Sequence, residues 1–399
     1  MAIGSHDRLP PMAAPFANYQ NEIYLTGTTG QRPPFTTDLS RLEDAAREVL
    51  DPQAFGYVAG SAGSTSTARA NRAAFERWRI VPRLLRDVSQ RDQSTTVLGA
   101  SMPAPVLLAP VGVQTIVHPD GELASARGAA AAGIGLVAST AASTPLEAVA
   151  EAHGENPRWF QLYWPKDPDM MRSMVTRAEA AGYGAIVVTL DNVHLGYRPA
   201  DMASGFLPFI RGVGIQQYTS DPVFRARLDH PPEDDPGAAI GEFLGVVNEV
   251  ITWDDLPELR SATDLPILLK GILDPDDARR ARDAGVDGVI VSNHGGRQVD
   301  GAIAALDALP DVAGEVGGEL AVLFDSGIRG GADAAKALAL GAEAILLGRP
   351  YLWGLVLGGA DGVEHVLRML LAELDLTMAL VGASTVAELT PDLLRHAPR

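Results

Sequence analysis

Residues 265–296 read LPILLKGILDPDDARRARDAGVDGVIVSNHGG. Two apolar runs, LPILLKG and GVIVSNHG, flank a charged amphipathic stretch, PDDARRARDAG. Apolar runs that do not alternate with polar residues read as strands buried on both faces, and strands joined through a helix run parallel. The unit is strand–helix–strand. Its strands end on residues that no core would choose, Lys270 on the first and His294 just past the second.

The same rhythm extends in both directions from Val106 onward. PVLLAP, IGLVAST, RWFQLYW and AIVVTLD precede the unit, and LAVLFDSG and AILLGRP follow it. Eight such runs over roughly 250 residues match a (β/α)8 TIM barrel of the α/β class. An open doubly wound sheet is the alternative. The expected organisation is an N-terminal extension (1–105) packing on the barrel, the barrel itself (106–380) and a C-terminal tail (381–399). From about 199 to 250 the rhythm breaks around HPPEDDPG. That segment is too long for a connection and is expected to be a lid-like insertion after strand 4.

Composition narrows the function. The 399 residues are 46% hydrophobic with a formal charge of -18 and a pI near 4.8. Such a field repels phosphate backbones and anionic lipid, so neither nucleic acid nor a membrane is expected as a partner. A small anionic substrate would need a local pocket of positive charge. Cysteine is absent, which excludes disulfides, thiol nucleophiles and Cys-ligated metal. The first residues show no continuous apolar signal core. The expectation is a soluble cytoplasmic protein.

In a barrel, residues that end the strands converge on one face. Here they are Gln161, Tyr163, Thr189, Asp191, Lys270, Ser292, His294, Asp325, Gly348 and Arg349. Lys270 is one of only three lysines in the chain. At the end of a buried strand it needs an anionic or electron-rich partner. DSGIRGG and LGRP supply glycine-rich turns plus Arg329 and Arg349, the makings of a phosphate site with free backbone N–H groups. His294 followed by two glycines and Arg297 suits proton removal from a small carboxylic acid. His118 and His194 also lie near strand ends without a neighbour that gives them a role. His6, His153, His230, His365 and His396 read as loop or helix-surface residues. No metal-binding, Walker-type or GxSxG motif is present, and no metal is expected.

SNHGGRQVDG resembles the signature of the FMN-dependent α-hydroxy-acid oxidases and dehydrogenases. The likeness runs from DPQAFGYVAGSAG to LTMALVGAST, with LLKG, FDSGIRGG and LLGRP in the family's order. It implies FMN at the barrel mouth. Arg329, Gly348 and Arg349, with Ser326 and Gly327, would hold its phosphate, and Asp325 its ribityl chain. Pro110, Val111, Gly112, Gln161, Thr189 and Lys270 would contact the ring system, with Ser139 and Ser292 also binding the cofactor. Arg198, Arg297 and Tyr57 would bind the substrate carboxylate and Tyr163 its hydroxyl. His294 would accept the proton, with Asp191 stabilising the imidazolium.

The implied reaction is oxidation of L-lactate or a similar short L-2-hydroxy acid by oxygen. The insertion ADMASGFLPFIRGVGIQQYTSDPVF looks most like that of lactate 2-monooxygenase. This implies that pyruvate is retained and converted to acetate, carbon dioxide and water; release of keto acid and peroxide is the alternative. A homo-oligomer, a tetramer or larger, is implied as well. Three positions depart from the family pattern. Gly112 replaces a common alanine and would change the room over the ring. Ala138 replaces a serine and would lose one FMN contact. Thr140 replaces a bulky aromatic beside the substrate side chain.

Overall fold

The computed structural model describes residues 16–397. Eight strands, β1 (Val106–Leu108), β2 (Gly135–Ser139), β3 (Arg158–Leu162), β4 (Ile186–Thr189), β5 (Ile267–Ile272), β6 (Gly288–Val291), β7 (Ala321–Phe324) and β8 (Ala344–Leu347), pair in chain order. The ladder closes where β8 pairs in parallel with β1. Around it lie α1 (Gly121–Ala131), α2 (Leu146–His153), α3 (Pro168–Ala180), α4 (Leu256–Ala262), α5 (Pro275–Asp283), α6 (Ala305–Val316), α7 (Gly331–Ala339) and α8 (Arg349–Val381). The doubly wound alternative is excluded by closure.

The two-residue period of a strand explains how the barrel changes from core to site. Leu107, Val137, Trp159, Val187, Leu268, Ile290, Leu323 and Leu346 point inward as one apolar cluster. Two residues later on each strand, the same inward side carries Ala109, Ser139, Gln161, Thr189, Lys270, Ser292, Asp325 and Gly348. The residues between them, such as Leu108, Ala138 and Leu269, join the separate cluster under the helices. A hairpin just before β1 (Thr95–Val97 and Ala100–Met102) adds Val97 and Met102 to the inner cluster. The barrel is thus plugged at its N-terminal end and polar at the other.

Between β4 and α4 the insertion is helical, with short helices at Pro199–Ser204, Gln216–Thr219, Pro222–Arg225 and Pro236–Val246. It is docked firmly. Arg177 on α3 bonds the buried Asp221 at 3.1 Å, and Gln217 bonds the Leu146 N–H (2.9 Å) and the Thr144 carbonyl (2.8 Å). A Cβ on Gly214 would lie 2.3 Å from Val113 Cγ1, so the insertion rests directly on the β1 loop.

The N-terminal extension does more than pack on the outside. Its helix Pro52–Ala59, capped by the Asp51 carboxylate, ends at the rim. At the other terminus Leu394–His396 pairs antiparallel with Trp78–Ile80, so the tail is tied to the extension. Among the described residues no helix is long and apolar enough to cross a membrane.

Candidate active site

His294 occupies the first turn after β6, and its backbone is unusual. It has φ 58°, followed by Gly295 at 65° and Gly296 at 78°. A left-handed conformation at a non-glycine residue costs roughly 1–2 kcal/mol, so it must be held. Ser292 Oγ accepts from the His294 N–H (3.0 Å), Ser326 Oγ from Gly295 (3.0 Å) and Asn293 Oδ1 from Gly296 (3.1 Å). Asn293 is locked in turn by a reciprocal amide pair with Asn71, at 2.8 and 2.7 Å. Neither asparagine was singled out from the sequence. The N in SNHGG was the available signal for Asn293, whereas nothing local marks Asn71.

The strained turn aims the imidazole at Asp191, the residue two past β4, with Nδ1 to Oδ1 at 2.8 Å. Nδ1 is thereby committed to the carboxylate, and the ring lines the mouth cavity. Burial pulls the His294 pKa below its ordinary value; Asp191 opposes the shift, while Lys270 and Arg198 add to it. Burial alone would raise Asp191, but His294 and Lys270 hold its carboxyl below the usual range. The resting pair is neutral imidazole on carboxylate, the form that can accept a proton and then be stabilised as imidazolium.

Two arginines face this base. Arg198 is 4% exposed and donates to the Arg297 carbonyl (3.1 Å) and to Gln298 Oε1 (2.5 Å). Burial, reinforced by Arg297, pushes its pKa down to about 10. Arg297 donates to the carbonyls of Tyr57 and Gly60, both at 2.7 Å, and lies over the Tyr57 ring at 5.2 Å. Among the described residues neither arginine forms a salt bridge. Gly196 permits the close approach of the two loops, because a Cβ there would meet the Arg297 carbonyl at 2.4 Å. Tyr163 is half-buried beside them, its hydroxyl accepting from Asn192 Nδ2 at 3.1 Å.

The carboxylate nearest in charge to these arginines is one that sequence reasoning missed. Asp201 lies in the first turn of helix Pro199–Ser204, 7% exposed, with neither oxygen bonded. Burial raises its carboxyl, against the pull of Arg297 and Arg198. Its place three residues after Arg198 in RPAD was a usable signal.

On the opposite side of the mouth, Lys270 finds its anionic partner. Nζ lies 3.0 Å from Asp325 Oδ2 and donates to Ser292 Oγ at 2.9 Å. Burial would lower the Lys270 pKa, but Asp325 and Asp191 raise it, so the ammonium stays charged. Arg349 donates to the carbonyls of Val58 (3.0 Å), Gly295 (3.0 Å) and Gly60 (2.8 Å). Burial and the neighbouring Arg297 and Arg329 push it down to about 9. Burial and Arg72 likewise lower Arg329.

One cavity of about 1190 Å³, including space open to solvent, joins these groups. It is lined by Tyr57, Pro110, Val111, Gly112, Ser139, Tyr163, Thr189, Arg198, Lys270, His294, Arg297, Asp325, Ser326, Gly327, Arg329, Gly348 and Arg349. Gln161, Ser292 and Asp191 stand behind that wall: Gln161 Oε1 accepts from Ser139 Oγ at 3.0 Å, while Gln161 Nε2 is buried with no partner.

The structure revises several details. The N-terminus of α7 is not free for an anion, since Glu373 accepts from Gly331 (2.7 Å) and Ala332 (3.4 Å), and Asp333 from the Arg329 N–H (2.9 Å). A phosphate there would rely on the two guanidiniums and the Ser326–Gly327 turn. Ala138 faces the helices, so the hydroxyl at the mouth belongs to Ser139 and none is lost. Gly112 opens no extra room; a Cβ would strike the Ala141 carbonyl at 2.3 Å. Asp325 is first of all the counter-ion of Lys270. His153 and His365 are buried, not surface residues, and bond the carbonyls of Ala126 (3.1 Å) and Thr36 (2.9 Å) respectively. His6 lies outside the described residues.

The donor set fits an anionic, flat, hydrogen-bonding cofactor: buried or half-buried arginines that form no salt bridge among the described residues, a buried lysine at an inner wall, and an amide nitrogen left unpaired. A model of the FMN-dependent dehydrogenase family matches residues 46–396. FMN-dependent alpha-hydroxy acid dehydrogenase qulF of Penicillium citrinum is 44% identical over 393 residues, covering 97% of each chain. L-lactate oxidase of Lysinibacillus sphaericus (strain C3-41) is 44% identical over 365 residues, 92% of this chain and 94% of the relative. A crystal structure of mandelate oxidase matches with a TM-score of 0.80 at 39% identity, covering 91% of this chain and 99% of that one.

Proposed function

The chain belongs to the FMN-dependent dehydrogenase family, with FMN as its cofactor, and we propose that it oxidises L-2-hydroxy acids with oxygen and decarboxylates the keto acid before it leaves. The observation that carries the oxidation is the His294–Asp191 pair at 2.8 Å beside buried Arg198 and half-buried Arg297, neither with an acid partner among the described residues. Arg198 and Arg297 bind the substrate carboxylate, with Tyr57 adding a donor, and this fixes the hydroxyl-bearing carbon near His294 and Tyr163. Tyr163 bonds the substrate hydroxyl. His294 takes a proton, and Asp191, already on Nδ1, stabilises the cation formed. When bound, FMN supplies an acceptor for the substrate's two electrons and passes them to oxygen.

Lys270, charged and buried, would stand beside the ring, with Ser139, Thr189 and the Pro110–Gly112 turn around it. Arg329 and Arg349 would hold the phosphate, helped by Gly348. Gln161 and Ser292 act from behind, through Ser139 and Lys270.

The docked insertion supports the retention step, because its Phe209 lines the mouth beside Asn192 and Leu195 of the stretch that leads into it. The sum is then RCH(OH)COOH + O2 → RCOOH + CO2 + H2O, in which peroxide from the oxygen half-reaction consumes the keto acid. The reading as an oxidase, RCH(OH)COOH + O2 → RCOCOOH + H2O2, is favoured by the likeness to L-lactate oxidase and by the absence of extra room at Gly112. Product analysis after aerobic turnover of L-lactate separates them. Acetate and carbon dioxide without peroxide supports retention, whereas pyruvate with equal peroxide overturns it. Gel filtration with light scattering tests the homo-oligomer.

A further inference from the structure

A second cavity adjoins the first, and its chemistry is opposite. It holds about 960 Å³, including space open to solvent, and no charged side chain lines it. Tyr163, Thr189, Asn192, Leu195, Ala141 and Phe209 line both spaces, so the second opens directly where His294 and Tyr163 meet the substrate. Its far wall comes from the insertion: Phe243 stacks edge-on with Tyr218 (5.0 Å) and tilts on Phe209 (5.9 Å). Leu207, Val247 and Ile251 complete it.

Part of the polar lining is already spent inside the protein, while the Tyr218 hydroxyl and Thr189 Oγ1 have no side-chain or backbone partner among the described residues. Thr140 is fully buried and spends its hydroxyl on the Gln161 carbonyl (2.5 Å) and the Tyr163 N–H (3.0 Å). Asn192 donates to Tyr163, and Asn248 Oδ1 accepts from Val250 at 3.0 Å. With no charged side chain and a mostly apolar lining, the cavity suits a mainly apolar group covalently continuous with the reacting carbon, since the carboxylate and hydroxyl are claimed on the other side. The methyl group of lactate would leave most of this space unfilled.

We infer that the preferred substrates are L-2-hydroxy acids with an extended apolar side chain, seated in this second cavity. The inference rests on the oxidation reading above. Each buried methylene is worth roughly a three- to fourfold factor in binding. The same grip on the side chain would slow release of the keto acid.

The experiment compares kcat/KM for L-lactate, L-2-hydroxyhexanoate and L-3-phenyllactate, with flavin bleaching under nitrogen as a second readout. At least one larger acid should exceed L-lactate by roughly tenfold or more. Val247→Trp, which fills the cavity, should bring that ratio down toward one. Leu244→Trp at the cavity edge serves the same purpose should the first variant fail to fold. Equal or poorer turnover of both larger acids, or a ratio untouched by the cavity-filling variant, overturns the inference. If L-lactate bleaches the flavin and the larger acids do not, the oxidation reading stands and this one falls. If no acid bleaches it, both fall.

Discussion

The two sides of the barrel mouth are built on different rules. On the β5–β8 side, strand ends and their turns carry Lys270, Ser292, His294 and Asp325, each held by a partner at 2.8–3.0 Å. On the β2–β4 side the walls are apolar and much of the surface belongs to the insertion. The first side positions charge, where a shift of an ångström is costly; the second contributes shape, where side chains can be exchanged for others of like volume. Chemistry is therefore tied to the strands, and choice of substrate to an insertion between two of them.

Perturbing the charged side should have the largest effects. His294→Gln should lower kcat/KM by about 10²–10⁴ while leaving FMN content and melting temperature nearly unchanged. The pH profile should show why. Activity is lost on the acid side as the free imidazole takes a proton, and burial places that limb below the ordinary histidine value. Asp191 raises the His294 pKa, so Asp191→Asn should move the limb further to acid as the plateau drops.

Lys270→Met strands Asp325 in the interior, and chemical denaturation should register a loss of about 3–5 kcal/mol. Asp325→Asn in the same chain should recover part of it. Arg297→Lys keeps the charge but loses the planar guanidinium whose Nη1 donates to both the Tyr57 and Gly60 carbonyls. KM should rise roughly ten- to a hundredfold with a smaller change in kcat. Smallest is Gly112→Ala, where the new methyl meets the Ala141 carbonyl. It should cost about 1–3 kcal/mol of stability. If it instead stabilised the protein, the apolar side would be looser than its packing indicates.

Much of the charged side was legible in the sequence. Continuous apolar runs reveal strands, and a strand's two-residue period sends the residue after each run to the same inward face. Thr189, Lys270, Ser292 and Asp325 follow from that geometry, whereas Ser139 came only from the family resemblance. What the sequence hid were groups whose role depends on distant partners. Asn71 lies on a helix of the extension and reaches Asn293 across 222 positions. Glu373, on α8, occupies N–H groups of α7 that looked free for an anion. The apolar cavity was only partly legible: the family resemblance marked Thr140 beside the substrate side chain, but Phe243 and Leu207 share no local pattern and meet it only when the insertion docks.

The end of helix Pro52–Ala59 bears on the order in which the molecule assembles. Its terminal carbonyls, with that of Gly60, accept from both Arg297 and Arg349, so a segment read early from the N-terminus completes a surface made near the other end of the chain. The barrel can zip up from neighbouring strands, but Arg297 and Arg349, which repel each other, gain these carbonyl partners only when that helix docks. In a refolding time course, far-UV circular dichroism should therefore recover before flavin fluorescence is quenched, and simultaneous recovery would contradict this sequence of events. On that order the mouth would be the last part of the molecule to form.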